Sequence, residues 1–281
     1  HKPKTKINPM YKYSLPVLLY VLAYIFFLFH NRSINSWEVP TKFHGFSLNG
    51  IENGSYSPEH CNPAFSVAIL VTYRNRKDQL RVFLPYMHTF LRKQNIHYKI
   101  FLIEQRDKKP WNKGLLYNIG AKRAIAEQFP CLVLHDVDLL PLDEGNLYAC
   151  TTHPRHMSAS IDKFRFVLPY GHLVGGVTAI TSEQYAAVNG FSNKFVKWGG
   201  EDDDFAARIK ARGLTVMRLP RTRSRYTMLK HQQEPRNSDR HHLLKENRRR
   251  DARVIDGFNS IHYKSIDVRE HQLFTHIVIT L

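Results

Sequence analysis

The chain has 281 residues, 43% of them hydrophobic, enough to bury a full core, so wholesale disorder is excluded. Three cysteines are too few for a disulfide-dense scaffold, and fourteen glycines without a period exclude collagen. Lys and Arg total 41 against 24 Asp and Glu, a formal charge of +17, which suits an anionic partner such as a nucleotide-bearing substrate or a phospholipid surface. No zinc-finger spacing or RNP-like motif supports nucleic acid, which is set aside.

The amino end reads as a membrane anchor. Leu15 to Phe29 (LPVLLYVLAYIFFLF) carries no charge, and Lys2, Lys4, Lys6 and Lys12 precede it. As a helix it spans about 23 Å, short for a plasma membrane but adequate for a thinner early secretory one. The lysines belong on the cytosolic side, which puts the rest of the chain in the lumen. No Ala-x-Ala cleavage site follows, which disfavours a removed signal peptide. The expected division is a cytosolic tail over 1–12, an anchor over 13–30, a polar stem over 31–60 and one folded lumenal domain over 61–281. Asn31-Arg32-Ser33 and Asn53-Gly54-Ser55 are glycosylation sequons, the second better separated from the membrane. In an oxidising lumen Cys131 and Cys150 can close a loop, worth up to roughly 3 kcal/mol, with Cys61 left over.

Beyond residue 61 the pattern alternates. Phe65 to Val71 is a near-continuous apolar run and predicts a buried strand. A helix is expected over Lys77 to Gln94, a strand over His97 to Ile103, a helix over Leu115 to Phe129, and a strand over Cys131 to His135. This order predicts an α/β domain with a mostly parallel sheet, whose ligands bind beyond the carboxyl ends of the strands. Asp136-Val137-Asp138 stands at such an end. The two acids are two apart, so in extended chain they share a side and invite a divalent cation with a nucleotide diphosphate. Solvated loop acids are the bland alternative.

Further on, Trp198-Gly199-Gly200 precedes four consecutive acids, Glu201 to Asp204, and a helix is expected from Phe205 to Arg212. Acids there favour the helix dipole. The tryptophan and paired glycines add a stacking face for a sugar ring and room for close approach. Met228-Leu229-Lys230-His231 is weak alone and gains meaning beside Asp138.

Taken in order, these segments resemble the β-1,4-galactosyltransferase family of Golgi membrane enzymes. The matching pieces are Tyr73-Arg74-Asn75-Arg76, Trp111-Asn112-Lys113, Asn118-Ile119-Gly120, Asp136-Val137-Asp138-Leu139, Asp162-Lys163-Phe164, Gly175-Gly176-Val177, the Trp198 to Asp204 run, Met228-x-x-His231 and Asp256-Gly257-x-Asn259-Ser260. Each is weak; nine in order are specific, and they cover the whole expected lumenal domain. The resemblance implies a GT-A nucleotide-sugar-binding fold, a UDP-sugar donor and Mn²⁺. It implies Asp138, Met228 and His231 as metal ligands. Arg74, Arg76, Trp111, Lys113, Asp136 and Val137 match nucleotide-contacting positions, and Asp202 matches the catalytic base. Trp198, Glu201, Asp203, Tyr170 and Gly176 match positions lining the sugar sites. Cys131 and Cys150 match a family disulfide.

Departures from the family pattern bear on specificity. Trp111 and Lys113 replace a Phe and an Arg, Thr72 replaces a common Pro, and Val196 replaces a Trp beside the loop expected to close over the donor. Arg240 to Leu244 corresponds to the N-acetyl pocket of the acceptor site, with His241 where an aromatic residue is common. Leu173 stands where galactose-using members commonly carry Tyr, which crowds the donor sugar at C2. Leucine leaves room for an N-acetyl group. The expectation is therefore UDP-GalNAc as donor, with UDP-Gal the alternative, and a GlcNAc-terminated glycan as acceptor. A catalytically silent Golgi lectin or partner subunit is the rival from another class. The chain is expected in the Golgi membrane as a single-pass type II protein. Whether it works with a Golgi protein partner or as a homodimer is left open. Lys245 to Arg253 reads as a solvated basic helix face.

Overall fold

A computed structural model describes residues 47–281. The expected tail and anchor, and the first part of the expected stem, lie outside them. No helix among the described residues is long and apolar enough to cross a membrane.

The apolar runs form the expected strands. β1 is Ile51–Glu52, β2 Ser55–Tyr56, β3 Ser66–Tyr73, β4 His97–Gln105 and β5 Cys131–Asp136. The intervening helices are α1, Lys77–Arg92, and α2, Lys113–Ala126. Both end earlier than their apolar periodicity suggests, and α2 also starts two residues earlier. Asn112 sets that start: its side chain accepts the Leu115 N–H at 3.0 Å, satisfying one of the free donors of the first turn. Lys113 thereby becomes the first residue of a helix beside the strand ends.

β3 is the centre of the sheet, parallel to β4 on one side and to β5 on the other. Beyond β5 lie β9 (Val177–Thr181), antiparallel, and β7 (Arg155–His156). Ala68, Leu70, Phe101, Ile103, Leu132 and Leu134 project from one face into a single apolar cluster. Leu116 of α2 and Tyr185 of α3 (Ser182–Ala187) pack there, with Phe205 of α4 (Glu201–Ala211) stacked on Phe191 at 4.1 Å. On the opposite face α1 buries Phe83, Met87 and Leu91.

The two hairpins at the sheet edge were not legible as strands. Residues 51–56 fall in the expected stem, yet they form a hairpin on the sheet edge. The Asn53-Gly54 turn takes φ of 52° and 77°, the left-handed pair that a two-residue hairpin needs. Gly54 donates to the Gln272 carbonyl and accepts from Ile100 N–H, each at 3.0 Å, and a Cβ there would strike Ile100 and Phe274. The sheet domain therefore begins before residue 61, because this edge of β4 would otherwise lie bare. Asn53 itself is exposed. At the other end β11 (Ser265–His271) and β12 (Phe274–Thr280) form a second hairpin, with β12 parallel to β4.

A smaller sheet shapes the ligand side. β6 (Leu139–Pro141) pairs antiparallel with β10 (Arg225–Met228), which pairs parallel with β8 (Ser160–Ile161). The Cys131–Cys150 disulfide is formed, with Cα atoms 5.5 Å apart, and Cys61 is a free, exposed thiol.

Candidate active site

The strand ends meet at a cavity. Its wall includes Thr72 near the end of β3 with Arg74 and Arg76 just beyond it, Trp111 and Lys113 at the start of α2, and Asp136 at the end of β5 with Val137 and Asp138 after it. Met228, His231, Trp198, Glu201 and Asp202 also line it. Segments more than a hundred residues apart in sequence thus converge, because β3 and β5 are neighbours and β10 is pinned to the residue after Asp138. Arg74 holds this rim: its guanidinium lies 5.2 Å over the Trp111 ring and donates to the Lys109 carbonyl at 2.8 Å and to Glu234 at 3.3 Å. Arg76 donates to the Gln232 carbonyl at 2.5 Å.

Lys113 is the electrostatic hub. Its ammonium lies 2.9 Å from Asp136, 3.7 Å from Asp202 and 4.0 Å from Glu201. One cation faces three carboxylates, so the acids are not all neutralised. Burial raises the pKa of Asp136 and of Glu201, against the pull of Lys113. Burial pushes the Asp202 carboxyl up to about 7; Lys113 opposes this while Glu201, Asp136 and Asp203 add to it. Lys113 itself is held well above the usual lysine value by the acids, despite its burial. Tyr117 donates to Asp136 at 3.3 Å from beneath.

The run Glu201 to Asp204 forms the first turn of α4 itself rather than preceding the helix at Phe205. This is the physical correction to the sequence expectation: acids near the positive helix end are favourable inside that turn. The turn splays its acids. Glu201 accepts the Gly199 N–H at 3.1 Å, Asp202 faces Lys113, and Asp203 accepts the Tyr170 hydroxyl at 3.1 Å. Gly175 makes room for this turn, since a Cβ there would run into the Asp202 carboxylate.

Asp138, Met228 and His231 come together. Met228 pairs with Leu139 across β6 and β10, and Leu229 N–H donates to the Asp138 carbonyl at 2.7 Å. His231 Nδ1 lies 2.7 Å from Asp138 Oδ2, and that carboxylate raises the imidazole pKa. Among the described residues no three His, Cys, Asp or Glu side chains cluster as a complete metal cage. The set here is one carboxylate, one imidazole and one thioether on a common wall. Such donors fit a divalent transition ion whose remaining positions are left to a ligand.

A second cavity opens on the other side of the first turn of α4. Tyr170, His172, Leu173 and Asp203 line it with Arg240, His241 and Leu244 of α5 (Arg240–Asn247). Trp198, Glu201 and Asp202 belong to both walls. Leu173 lines this second cavity and not the first, and Gly176 lines neither. Gly176 instead accepts the Asp136 N–H at 3.0 Å and so acts on the Asp136 backbone. The Trp198 loop is tied down: Trp198 N–H donates to Pro235 and its carbonyl accepts from Asn237, each at 2.9 Å. Val196 is half-buried and lines neither cavity. Sequence reasoning gave no role to Lys163 and Phe164, which line the first cavity, or to His172 in the second. The Asp162-Lys163-Phe164 motif was the available signal for the first two.

Known proteins match this arrangement. A family model for the N-terminal region of glycosyl transferase group 7 matches residues 32–151, and one for the N-terminal domain of galactosyltransferase matches residues 155–232. The chain is 38% identical to β-1,4-galactosyltransferase 1 of Mus musculus over 81% of its own length and 58% of that protein's.

The chain belongs to the β-1,4-galactosyltransferase family.

β-1,4-Galactosyltransferase 2 of Mus musculus is 36% identical over 81% of this chain and 63% of its own length. The match therefore spans about three fifths of these relatives. Among solved structures, the catalytic domain of Drosophila β-1,4-galactosyltransferase 7 in complex with xylobiose superposes with a TM-score of 0.68 and 27% identity, covering 77% of this chain and 94% of that one. A variant of the same Drosophila protein, in complex with manganese, UDP-Gal and xylobiose, gives 0.68 and 28% over the same shares. The mixed α/β architecture is thus the GT-A form of this family.

Proposed function

We propose that the chain is a manganese-dependent, inverting glycosyltransferase that moves a hexose from a UDP-sugar to a terminal GlcNAc hydroxyl in β-1,4 linkage. The observation that carries this reading is the shared wall: two cavities meet at Asp202, a carboxyl pushed up to about 7. A general base works best when its pKa lies near the working pH.

The division of labour follows from charge. Arg74, Arg76 and Lys113 supply positive charge on the first cavity, where a nucleotide diphosphate needs it. Trp111 offers an aromatic face for the nucleotide, with Asp136 and Val137 at the strand end beneath. Asp138, Met228 and His231 would hold the Mn²⁺, and the ion, when bound, supplies Lewis-acid neutralisation of the leaving diphosphate. The second cavity receives the acceptor, with Tyr170, Glu201, Asp203 and Trp198 around it. Asp202 takes the proton from the acceptor hydroxyl as its oxygen attacks the anomeric carbon from the face opposite UDP. One displacement of this kind turns an α-linked donor into a β product. The manganese and UDP-Gal complex of the Drosophila relative supports the ion and the donor class. A Golgi lumenal location with a type II anchor goes with the family and with the apolar run at Leu15 to Phe29.

The donor sugar has two readings. The names of the relatives favour UDP-Gal. Leu173 favours UDP-GalNAc, provided the donor sugar reaches past Asp202 into the space that Leu173 lines. The test is transfer to a GlcNAc acceptor with Mn²⁺, comparing the two donors, then repeating with Leu173→Tyr. The GalNAc reading expects UDP-GalNAc to be used at least as well as UDP-Gal, and the variant to shift the ratio tenfold or more toward UDP-Gal. A wild-type protein that strongly prefers UDP-Gal makes this a galactosyltransferase. Absence of any UDP release with either donor favours the silent lectin or partner.

A further inference from the structure

The Asp162-Lys163-Phe164 motif has no role in the reaction as derived so far, yet its first residue sits behind the candidate metal donors. β8 runs parallel to β10 for only two residue pairs, the last being Ile161 opposite Tyr226. The chain then leaves the strand direction in a single turn, Asp162–Phe164. β10 continues for two more residues, Thr227 and Met228, and on that side no strand among the described residues pairs with them. The Asp162 carboxylate takes the place of the missing strand. Its Oδ1 accepts the Met228 N–H at 3.0 Å and its Oδ2 accepts the Thr227 hydroxyl at 2.5 Å. Oδ1 also accepts the Lys163 N–H at 2.6 Å, which closes the turn.

We propose that Asp162 is a positioning residue for the cation site: it fixes the end of β10, and with it the Met228 thioether, against Asp138. The inference rests on the reading that Asp138, Met228 and His231 hold a divalent ion. Met228 lies between two restraints. On one side β6 pairs Leu139 with it, and the next N–H, that of Leu229, reaches the Asp138 carbonyl. On the other side stands Asp162. Thr227 is buried, so removing the carboxylate strands its hydroxyl and the Met228 N–H without partners. A thioether is a poor ligand for a hard ion, and its contribution depends on being held in place rather than on intrinsic affinity. Groups that orient ligands in this way typically account for 10- to 100-fold in metal affinity.

The same turn acts on the cavity. Asp162 faces inward, while Lys163 and Phe164 line the first cavity. Arg165 and Phe166 follow with φ of 54° and 57°, two successive left-handed residues that are not glycine. Such strain persists only where surrounding bonds hold it. Here Arg165 N–H bonds the Asp162 carbonyl at 2.7 Å and Phe166 N–H the Ile161 carbonyl at 2.9 Å. The strained turn and the end of β10 are therefore one unit with Asp162 at its joint.

The test measures Mn²⁺ binding directly, by the electron paramagnetic resonance of free Mn²⁺, with and without UDP, alongside melting of the metal-free protein. Asp162→Ala is expected to weaken Mn²⁺ binding tenfold or more, and Thr227→Val threefold or more. Saturating Mn²⁺ should restore most of kcat in both, so the defect appears in the metal requirement rather than in turnover. A purely structural role lowers the melting temperature and leaves Mn²⁺ affinity within twofold of wild type; that result overturns the proposal. Should Asp162→Ala fail to fold, Thr227→Val decides, since it removes the hydroxyl that anchors the Asp162 carboxylate to β10: unchanged Mn²⁺ affinity refutes the inference. Failure of the wild-type protein to bind Mn²⁺ refutes the metal reading itself, and is seen before any variant is made.

Discussion

Helix α4 carries two aspartates, two residues apart, that face opposite fates. Asp204 points into the core and bonds the Arg208 guanidinium at 2.6 Å, with both side chains almost fully buried. Arg208 also donates to the Asp256 carbonyl at 2.8 Å, tying the helix to the loop before Gly257. Asp256 is held in turn by the Ser192 hydroxyl at 2.5 Å and the Asn193 N–H at 3.0 Å. Asp202 points outward to the two cavities, and its nearest cation, Lys113, stands at 3.7 Å and is shared with two other acids. The same side chain is thus a satisfied anchor on one face and an under-compensated carboxylate on the other. The comparison teaches that a chemically useful group is left sharing a distant cation by a helix whose other face gives its buried acid a cation of its own.

The largest effect should come from Asp202→Asn, which keeps the shape and removes the base. A drop in kcat of about 10³-fold is expected, with donor KM little changed. A loss under tenfold in steady-state assays would remove Asp202 from the chemistry. The same variant should not be less stable. The folded carboxyl sits near 7 against an unfolded value near 3.8, so the native state binds the extra proton between these limits. Its stabilisation is full below the lower value and lost as pH rises through about 7. Asn never ionises, so its melting advantage over wild type should grow from pH 5 to pH 8.

On the other face, Arg208→Met leaves Asp204 buried without its cation and should cost about 3–5 kcal/mol by urea unfolding. Adding Asp204→Asn should return part of that loss. Full additivity of the two changes would break the contrast between the faces. Next in size is Lys113→Met. Donor KM should rise about tenfold, as expected for a lost charged contact of roughly 1.4 kcal/mol. Lys113 holds the Asp202 pKa down, so its removal should move the acid limb of the kcat/KM profile to higher pH. An unmoved profile would mean that Lys113 serves the nucleotide alone. The smallest effect is expected from Tyr170→Phe, which deletes the bond to Asp203 on the acceptor side. Acceptor KM should rise about two- to fivefold, in line with roughly 0.5–1 kcal/mol for one half-exposed hydrogen bond, with donor KM unchanged.

The three central strands β3, β4 and β5 were legible because each is a short apolar run between polar breaks. Asp136 and Asp138 were legible as strand-end acids for the same reason. The helix start at Lys113 was not: Asn112 caps it through a side-chain bond that leaves no trace in apolar periodicity. The acids of Glu201 to Asp204 read as a prelude to a helix, because charge hides the helical period that Phe205 and Ile209 reveal. The edge hairpin at 51–56 carried an Asn-Gly signal, masked by its setting among Asn, Gly, Ser and Pro. Gly176 and Leu173 show the limit at the site. Both stand in the segment that approaches it, but Gly176 turns its backbone toward Asp136, while Leu173 turns into the second cavity.

From sequence alone came the central strands and the helices around them, the strand-end carboxylates and the set of side chains with suitable chemistry, since each depends on neighbours within a few residues. Tertiary structure alone decided who meets whom. It set Lys113 among three acids, Met228 beside Asp138, and Asp202 on a wall common to two cavities. Those relations arise from strand order and from packing across more than a hundred residues, where a charge takes its pKa from whatever the fold brings close.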